Sequence, residues 1–166
     1  MKNVSKKSKK KTKGTTIMVI LGAAVAIGIL GYVGISSMIP ANSNFPVFAA
    51  PTNLYIKSLK TSDRGYIFAS QSIKGGKGVP LTGTRSPTFV VNKGNLISLH
   101  LINEDKDSIE GASLHNINID EFKVHSKNLR YFEADTVTFV ADKDGQFDYY
   151  CSLHPEMKGT LEVRVE

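Results

Sequence analysis

The stretch GQFDYYCSLHPEMKGTLEVRV, residues 145–165, holds two extended runs and the loop that joins them. In the first run, Gln146–Cys151, the residues Phe147, Tyr149 and Cys151 share one face, the two-residue period of a half-buried strand. Thr160–Val165 is the second run. Upstream, Asp142-Lys143-Asp144-Gly145 is a turn signal whose glycine supplies a positive φ.

Working outward, the same pattern recurs at Asn53–Leu59, Gly65–Gln71, Thr88–Asn92, Asn95–Asn103, Leu114–Asp120 and Thr136–Ala141. In Asn95–Asn103, Ile97, Leu99 and Leu101 point one way and Ser98 and His100 the other. Lys93-Gly94 reads as a second hairpin turn. The strongest helical candidate after residue 40 is a weak one, Ser126–Glu133. Eight short strands in a domain of about 115 residues predict an all-β fold, an eight-stranded Greek-key β-sandwich over residues 52–166.

The N-terminal third differs in kind. The chain has 21 Lys+Arg against 15 Asp+Glu, but seven of its lysines fall within residues 1–16, which hold no acid. The rest carries 14 basic and 15 acidic side chains, so the basicity belongs to a tail, and a basic nucleic-acid-binding domain is excluded. Residues 17–39, IMVILGAAVAIGILGYVGISSMI, hold no charge and are long enough to span a bilayer core of about 30 Å. A secretory signal has an apolar region of about 7–15 residues, so an uncleaved anchor is expected, although Val47-Phe48-Ala49 resembles a weak cleavage site. The flanking lysines predict a cytoplasmic tail (1–16), a single transmembrane helix (17–39) and a domain on the extracytoplasmic face of the cell membrane. Residues 40–51, with three prolines and no charge, read as a short extended linker.

The Gly- and Pro-rich segment 72–87 contains Gly76-Lys77. Gln71 and Gly78 stand where a phosphate loop needs glycine and a hydroxyl, so it reads as a surface loop. The single cysteine allows no intrachain disulfide.

The chemistry lies in the loop of the opening stretch. Cys151, His154 and Met157 follow one another at intervals of three, between two strands. A tight loop can turn a thiol, an imidazole and a thioether toward one point. A fourth donor must come from elsewhere, and His115, opening the run His115–Ile119, is best placed. Two imidazoles, a thiolate and a weak axial thioether suit one copper ion that changes oxidation state, since sulfur favours Cu(I) and nitrogen Cu(II). Zinc sites prefer several Cys or His ligands, and thioether is a poor zinc donor. His100, on the polar strand face, and His125, without a partner motif, read as ordinary polar residues.

Cys-x-x-His-x-x-Met after an aromatic-rich strand, with His115-Asn116 upstream, resembles the blue (type 1) copper cupredoxins, and the loop CSLHPEMKG is most similar to their plastocyanin/amicyanin-like members. The resemblance spans Thr88 to Val165. It implies a Greek-key β-sandwich, one type 1 copper per chain and one-electron transfer. By position it makes His115, Cys151 and His154 equatorial ligands and Met157 the axial one. It further implies that Asn116 bonds across to the ligand loop and aims its N–H at the Cys151 sulfur. Tyr149 and Phe147 would pack beneath the site. The exposed edge would be His154, ringed by Leu153, Pro155 and Met157.

Tyr150 and Ser152 flank Cys151, where the related copper oxidases and nitrite reductases carry a histidine wired to a second copper. An electron carrier rather than an enzyme is therefore expected, its partners being redox proteins of a membrane electron-transfer chain. The alternatives are copper binding and delivery, or an accessory subunit of a respiratory complex.

Overall fold

The structure is a computed structural model, and it describes residues 13–62, 65–70, 86–107 and 111–165. Most of the segment 72–87 lies outside the described residues. The chain divides after Ser37 into two units.

The first unit contains helix α1, Lys13–Ser36. Its Ile17–Ser36 stretch has a mean hydropathy of 2.4 over 20 residues. At 1.5 Å per residue it reaches about 30 Å, long and apolar enough to cross a bilayer. A signal sequence has the same character.

The second unit is a sandwich of two sheets. Its strands are β1 (Thr52–Thr61), β2 (Gly65–Ser70), β3 (Phe89–Asn92), β4 (Leu96–Asn103), β5 (Asn118–Ile119), β6 (Val124–His125), β7 (Ala134–Val140), β8 (Gly145–Cys151) and β9 (His154–Arg164). One sheet has the order β2-β1-β4-β7 and the other β3-β9-β8-β5-β6. The pairs β1–β4 and β3–β9 are parallel and the remaining pairs antiparallel.

The core lies between the sheets. Ile56, Phe68, Ile97, Leu99, Leu101 and Phe139 come from one layer; Ile119, Val124, Tyr149, Cys151, Leu161 and Val163 come from the other. The alternation in β4 sends Ile97, Leu99 and Leu101 inward, as its sequence predicts.

Four details differ from the sequence reading. Nine strands form among the described residues: Val124–His125 is an additional short strand paired with β5, while the run around His115 is broken, only Asn118–Ile119 being strand and His115 making a lone bridge with Leu129. Ser126–Glu133 is not helical; it is held by that bridge and by the Ser126 N–H on the Ile117 carbonyl at 3.0 Å. Lys93-Gly94 and Asp142–Gly145 are not hairpins, since each carries the chain from one sheet to the other. Gly94, at φ +87°, and Gly145, at φ +136°, serve a corner as readily as a hairpin, so turn chemistry leaves the pairing open. The two corners clasp each other: the Gly94 N–H donates to Ala141 O, the Ala141 N–H donates to Asn95 O, and Lys93 pairs with Asp144 at 2.7 Å. Finally, β9 begins at His154 rather than near Thr160.

The linker segment is partly docked. The Ala41 N–H donates to Thr138 O at 2.7 Å, while the Asn42 side chain donates to Val140 O and accepts the Val140 N–H, at 2.8 and 2.9 Å. Asn42 thus acts as a surrogate peptide unit on β7, an edge strand whose backbone groups would otherwise be unpaired.

Candidate metal centre

β8 and β9 are adjacent antiparallel strands whose ladder shifts register at its end. Tyr150 pairs with Lys158, but the next pair is Cys151 with His154. Ser152 and Leu153 make the turn, and Pro155-Glu156-Met157 bulge out of β9. Proline has no N–H to give to a ladder, so a bulge is where it fits. The hairpin sets Cys151 Sγ 3.7 Å from His154 Nδ1. The bulge returns Met157 to the interior, where it is fully buried in the same apolar cluster as Cys151. Met157 therefore adds nothing to the outer surface, contrary to the expectation that it would help ring the exposed edge.

Beneath the hairpin, Tyr149 lies opposite Gly159, and a Cβ at Gly159 would stand 2.3 Å from the Tyr149 hydroxyl oxygen. That hydroxyl donates to Pro87 O, and burial pushes its pKa up. Phe68 and Phe89 pack on the Tyr149 ring, at centroid distances of 5.6 and 5.7 Å. Phe147 is half-buried and packs against the same core.

His115 reaches the site from the segment before β5. The potential ligand atoms of His115, Cys151 and His154 all lie within 4.8 Å of one another. The two imidazole rings are 4.5 Å apart. His115 is fully buried, and its Nδ1 has no hydrogen-bond partner. Its other nitrogen, Nε2, lies 3.1 Å from Asp105 Oδ2. Burial holds the His115 pKa below its ordinary value, opposed by the Asp105 hydrogen bond.

An orphaned buried nitrogen costs free energy unless something completes it. A metal ion would do so. Metal–nitrogen and metal–sulfur bonds of about 2.0 and 2.3 Å, opened to roughly 120°, separate their donors by the distance seen between Cys151 and His154. The residues present fit a mononuclear metal.

Asn116 ties the two halves together. Its side chain donates to Ser152 Oγ at 2.7 Å and to Asn128 Oδ1 at 2.7 Å, and it accepts the Ser152 N–H at 2.9 Å and the Asn118 side chain at 2.9 Å. Among the described residues Cys151 Sγ is paired with His154 Nδ1 alone, and no bond from the Asn116 N–H reaches it.

Two residues that face the donors carried no motif in the sequence. The Tyr66 ring, on β2, lies 4.2 Å from His154 and 5.3 Å from His115, covering both. Asp105 sits ten residues before His115 in an acidic loop with no motif. Strand alternation with buried Phe68 was the one available hint for Tyr66.

The remaining histidines are occupied elsewhere. His100 stacks on Tyr55 at 4.6 Å and bonds Thr136 and Asn53, while His125 bonds Asn118.

Comparison with known proteins bears on the same region. Residues 82–163 match the family model described as a cupredoxin-like domain. No curated protein sequence matches the chain. A copper nitrite reductase from Nitrosomonas europaea superposes with a TM-score of 0.52 at 20% identity, over 70% of this chain and 42% of that one. This chain thus corresponds to less than half of that enzyme chain. Dithionite-reduced auracyanin from Roseiflexus castenholzii aligns with a TM-score of 0.47 at 18% identity, over 70% of this chain and 99% of its own. A reduced Cu(I) form of an amicyanin variant aligns with a TM-score of 0.38 at 17% identity, over 66% of this chain and 82% of its own.

Proposed function

The chain carries a domain of the cupredoxin-like family over residues 82–163, and from that premise we propose that it is a membrane-anchored type 1 copper protein that carries single electrons between redox proteins on the extracytoplasmic face. The observation that carries this reading is the convergence of three soft and borderline donors within 4.8 Å, one of them a buried nitrogen without a partner. His115, Cys151 and His154 are the proposed equatorial ligands, Met157 the axial one, and Asn116 the clamp between the two ligand segments. Copper, when bound, supplies a one-electron couple between Cu(I) and Cu(II).

The chain's own residues supply the rest. Cys151, His115 and Met157 are buried, which keeps water from the donor set. Bonds from Asn116 to Ser152 and from the His115 backbone to Leu129 hold the donors in one arrangement, which limits rearrangement between oxidation states. His154 is half-buried and brings one edge of the site to the surface, beside Leu153 at 44% exposure and the exposed Pro155. A small apolar rim of this kind suits brief docking to a partner protein. Tyr150 and Ser152 beside Cys151, with His100 and His125 engaged elsewhere, support a carrier over an enzyme.

The test is a visible spectrum of the full chain in detergent, loaded with Cu(II) and then treated with ascorbate. An intense blue band that bleaches and returns on oxidation is the expected result, with rapid reversible voltammetry. A pale product from folded protein overturns the type 1 reading. Copper surrendered to a chelator faster than the site exchanges electrons points to delivery instead.

A further inference from the structure

The buried end of His115 leads into a polar network that no metal ligand explains. Asn103, fully buried, uses all four of its side-chain bonding positions: it accepts the Asp105 N–H at 2.9 Å and the Ser58 hydroxyl at 3.0 Å, and it donates to Ser113 O at 3.1 Å and Leu129 O at 3.0 Å. The Ser113 N–H donates to Asp107 Oδ1 at 2.9 Å. These bonds draw residues 103–107 and 111–115 together and place the Asp105 carboxylate, 6% exposed, between Ser113 and His115. Its Oδ2 accepts the Ser113 hydroxyl and lies 3.1 Å from His115 Nε2.

Among the described residues, Asp105 pairs with no lysine or arginine; its side-chain partners are Ser113 and His115. A buried carboxylate without a cation is costly unless a partner offsets its charge. A carboxylate oxygen facing Nε2 at 3.1 Å accepts a hydrogen bond when the ring hydrogen sits on Nε2. That leaves Nδ1 bare, and Nδ1 is the atom found buried and unpartnered.

We propose that Asp105 is a positioning residue of the metal centre, whose carboxylate locks His115 in the tautomer that presents Nδ1 and whose charge favours the more highly charged oxidation state of the bound ion. The second half of this statement rests on the copper reading above; the first does not. A carboxylate behind a ligand imidazole raises the basicity of the ligating nitrogen, and loss of such a partner typically costs about 10–100-fold in metal affinity.

The experiment compares the full chain in detergent with its Asp105→Asn and Asp105→Glu variants, with folding checked by circular dichroism. Asparagine keeps the size and an acceptor but removes the charge; glutamate keeps the charge. Affinities for Cu(II) and Cu(I) are measured by chelator competition, and the His115 nitrogens are read by ¹⁵N NMR in the metal-free chain.

Asp105→Asn is expected to weaken Cu(II) about 10–100-fold and Cu(I) by less. Each tenfold difference between the two raises the one-electron potential by about 59 mV. Asp105→Glu is expected to restore most of the preference for Cu(II). Equal losses for both oxidation states would reduce Asp105 to a packing role and overturn the charge effect. Protonated Nδ1 in the unmodified metal-free chain would overturn the tautomer lock. Failure of the unmodified chain to take up copper would sink the copper reading and the charge effect with it, while the NMR result would still decide the tautomer.

Discussion

The two segments that converge on the candidate metal centre are built in opposite ways. The hairpin Cys151–Met157 carries three of the four proposed donors within seven residues, and its geometry follows from a two-residue turn and a proline-bearing bulge. The arm presenting His115 carries one donor and depends on Ser58, Asn103, Asp105, Ser113 and Leu129, spread over more than seventy residues. The hairpin is therefore local and tolerant of change elsewhere. The arm is tertiary, and is exposed to any substitution that loosens its network.

That contrast can be broken most sharply at the hairpin. Cys151→Ser is expected to abolish the intense thiolate absorption entirely while far-UV circular dichroism remains that of a β protein. An unfolded variant would instead make the thiol chiefly a packing group.

On the arm, Asn103→Ala removes four hydrogen bonds from a fully buried position. Leaving their partners unsatisfied is expected to cost about 3 kcal/mol or more, measured by urea unfolding of the metal-free chain. A cost under about 1 kcal/mol would show that the arm is held by something other than this network.

Gly159→Ala probes the floor of the hairpin. The new methyl would meet the Tyr149 hydroxyl at 2.3 Å and the Ser86 side chain at 2.8 Å, so a destabilisation of about 1–3 kcal/mol is expected. Unchanged stability would mean that Tyr149 swings clear, with its bond to Pro87 lost.

The smallest effect lies away from both regions and serves as a control. Burial lowers the His100 pKa, so below its ordinary value near 6.5 the unfolded chain binds more protons than the folded one. Its contribution to stability is complete above that pH and is lost as pH falls toward the lowered folded value. Because His100 is only half-buried, solvent screening keeps the effect well under about 1 kcal/mol. His100→Asn should flatten this part of the pH–stability curve and leave the copper spectrum unchanged; an altered spectrum would mean that the outer sheet face communicates with the centre.

Much of this was legible because it is periodic or local. Alternation in β4 and β8 identifies which residues enter the core, and the spacing of Cys151, His154 and Met157 proposes a donor set before any contact is known. An uncharged run from Ile17 to Ile39 contains the helical stretch Ile17–Ser36, long and apolar enough to cross a membrane. The two corner misreadings share one cause. Lys93-Gly94 and Asp142–Gly145 satisfy turn chemistry, but whether a turn closes a hairpin or crosses between sheets depends on which strand lies alongside, and the partners are remote. The start of β9 was missed because Pro155 hides a ladder that resumes on either side of its bulge.

By itself, then, the sequence determined the all-β class and the apolar helix, and it proposed Cys151, His154 and Met157 as donors with His115 as the best-placed fourth. Only the tertiary structure decided what faces those donors. Tyr66 over both imidazoles and Asp105 behind His115 are contacts between segments far apart in the chain, and spacing cannot encode a partner brought close by strand pairing across two sheets.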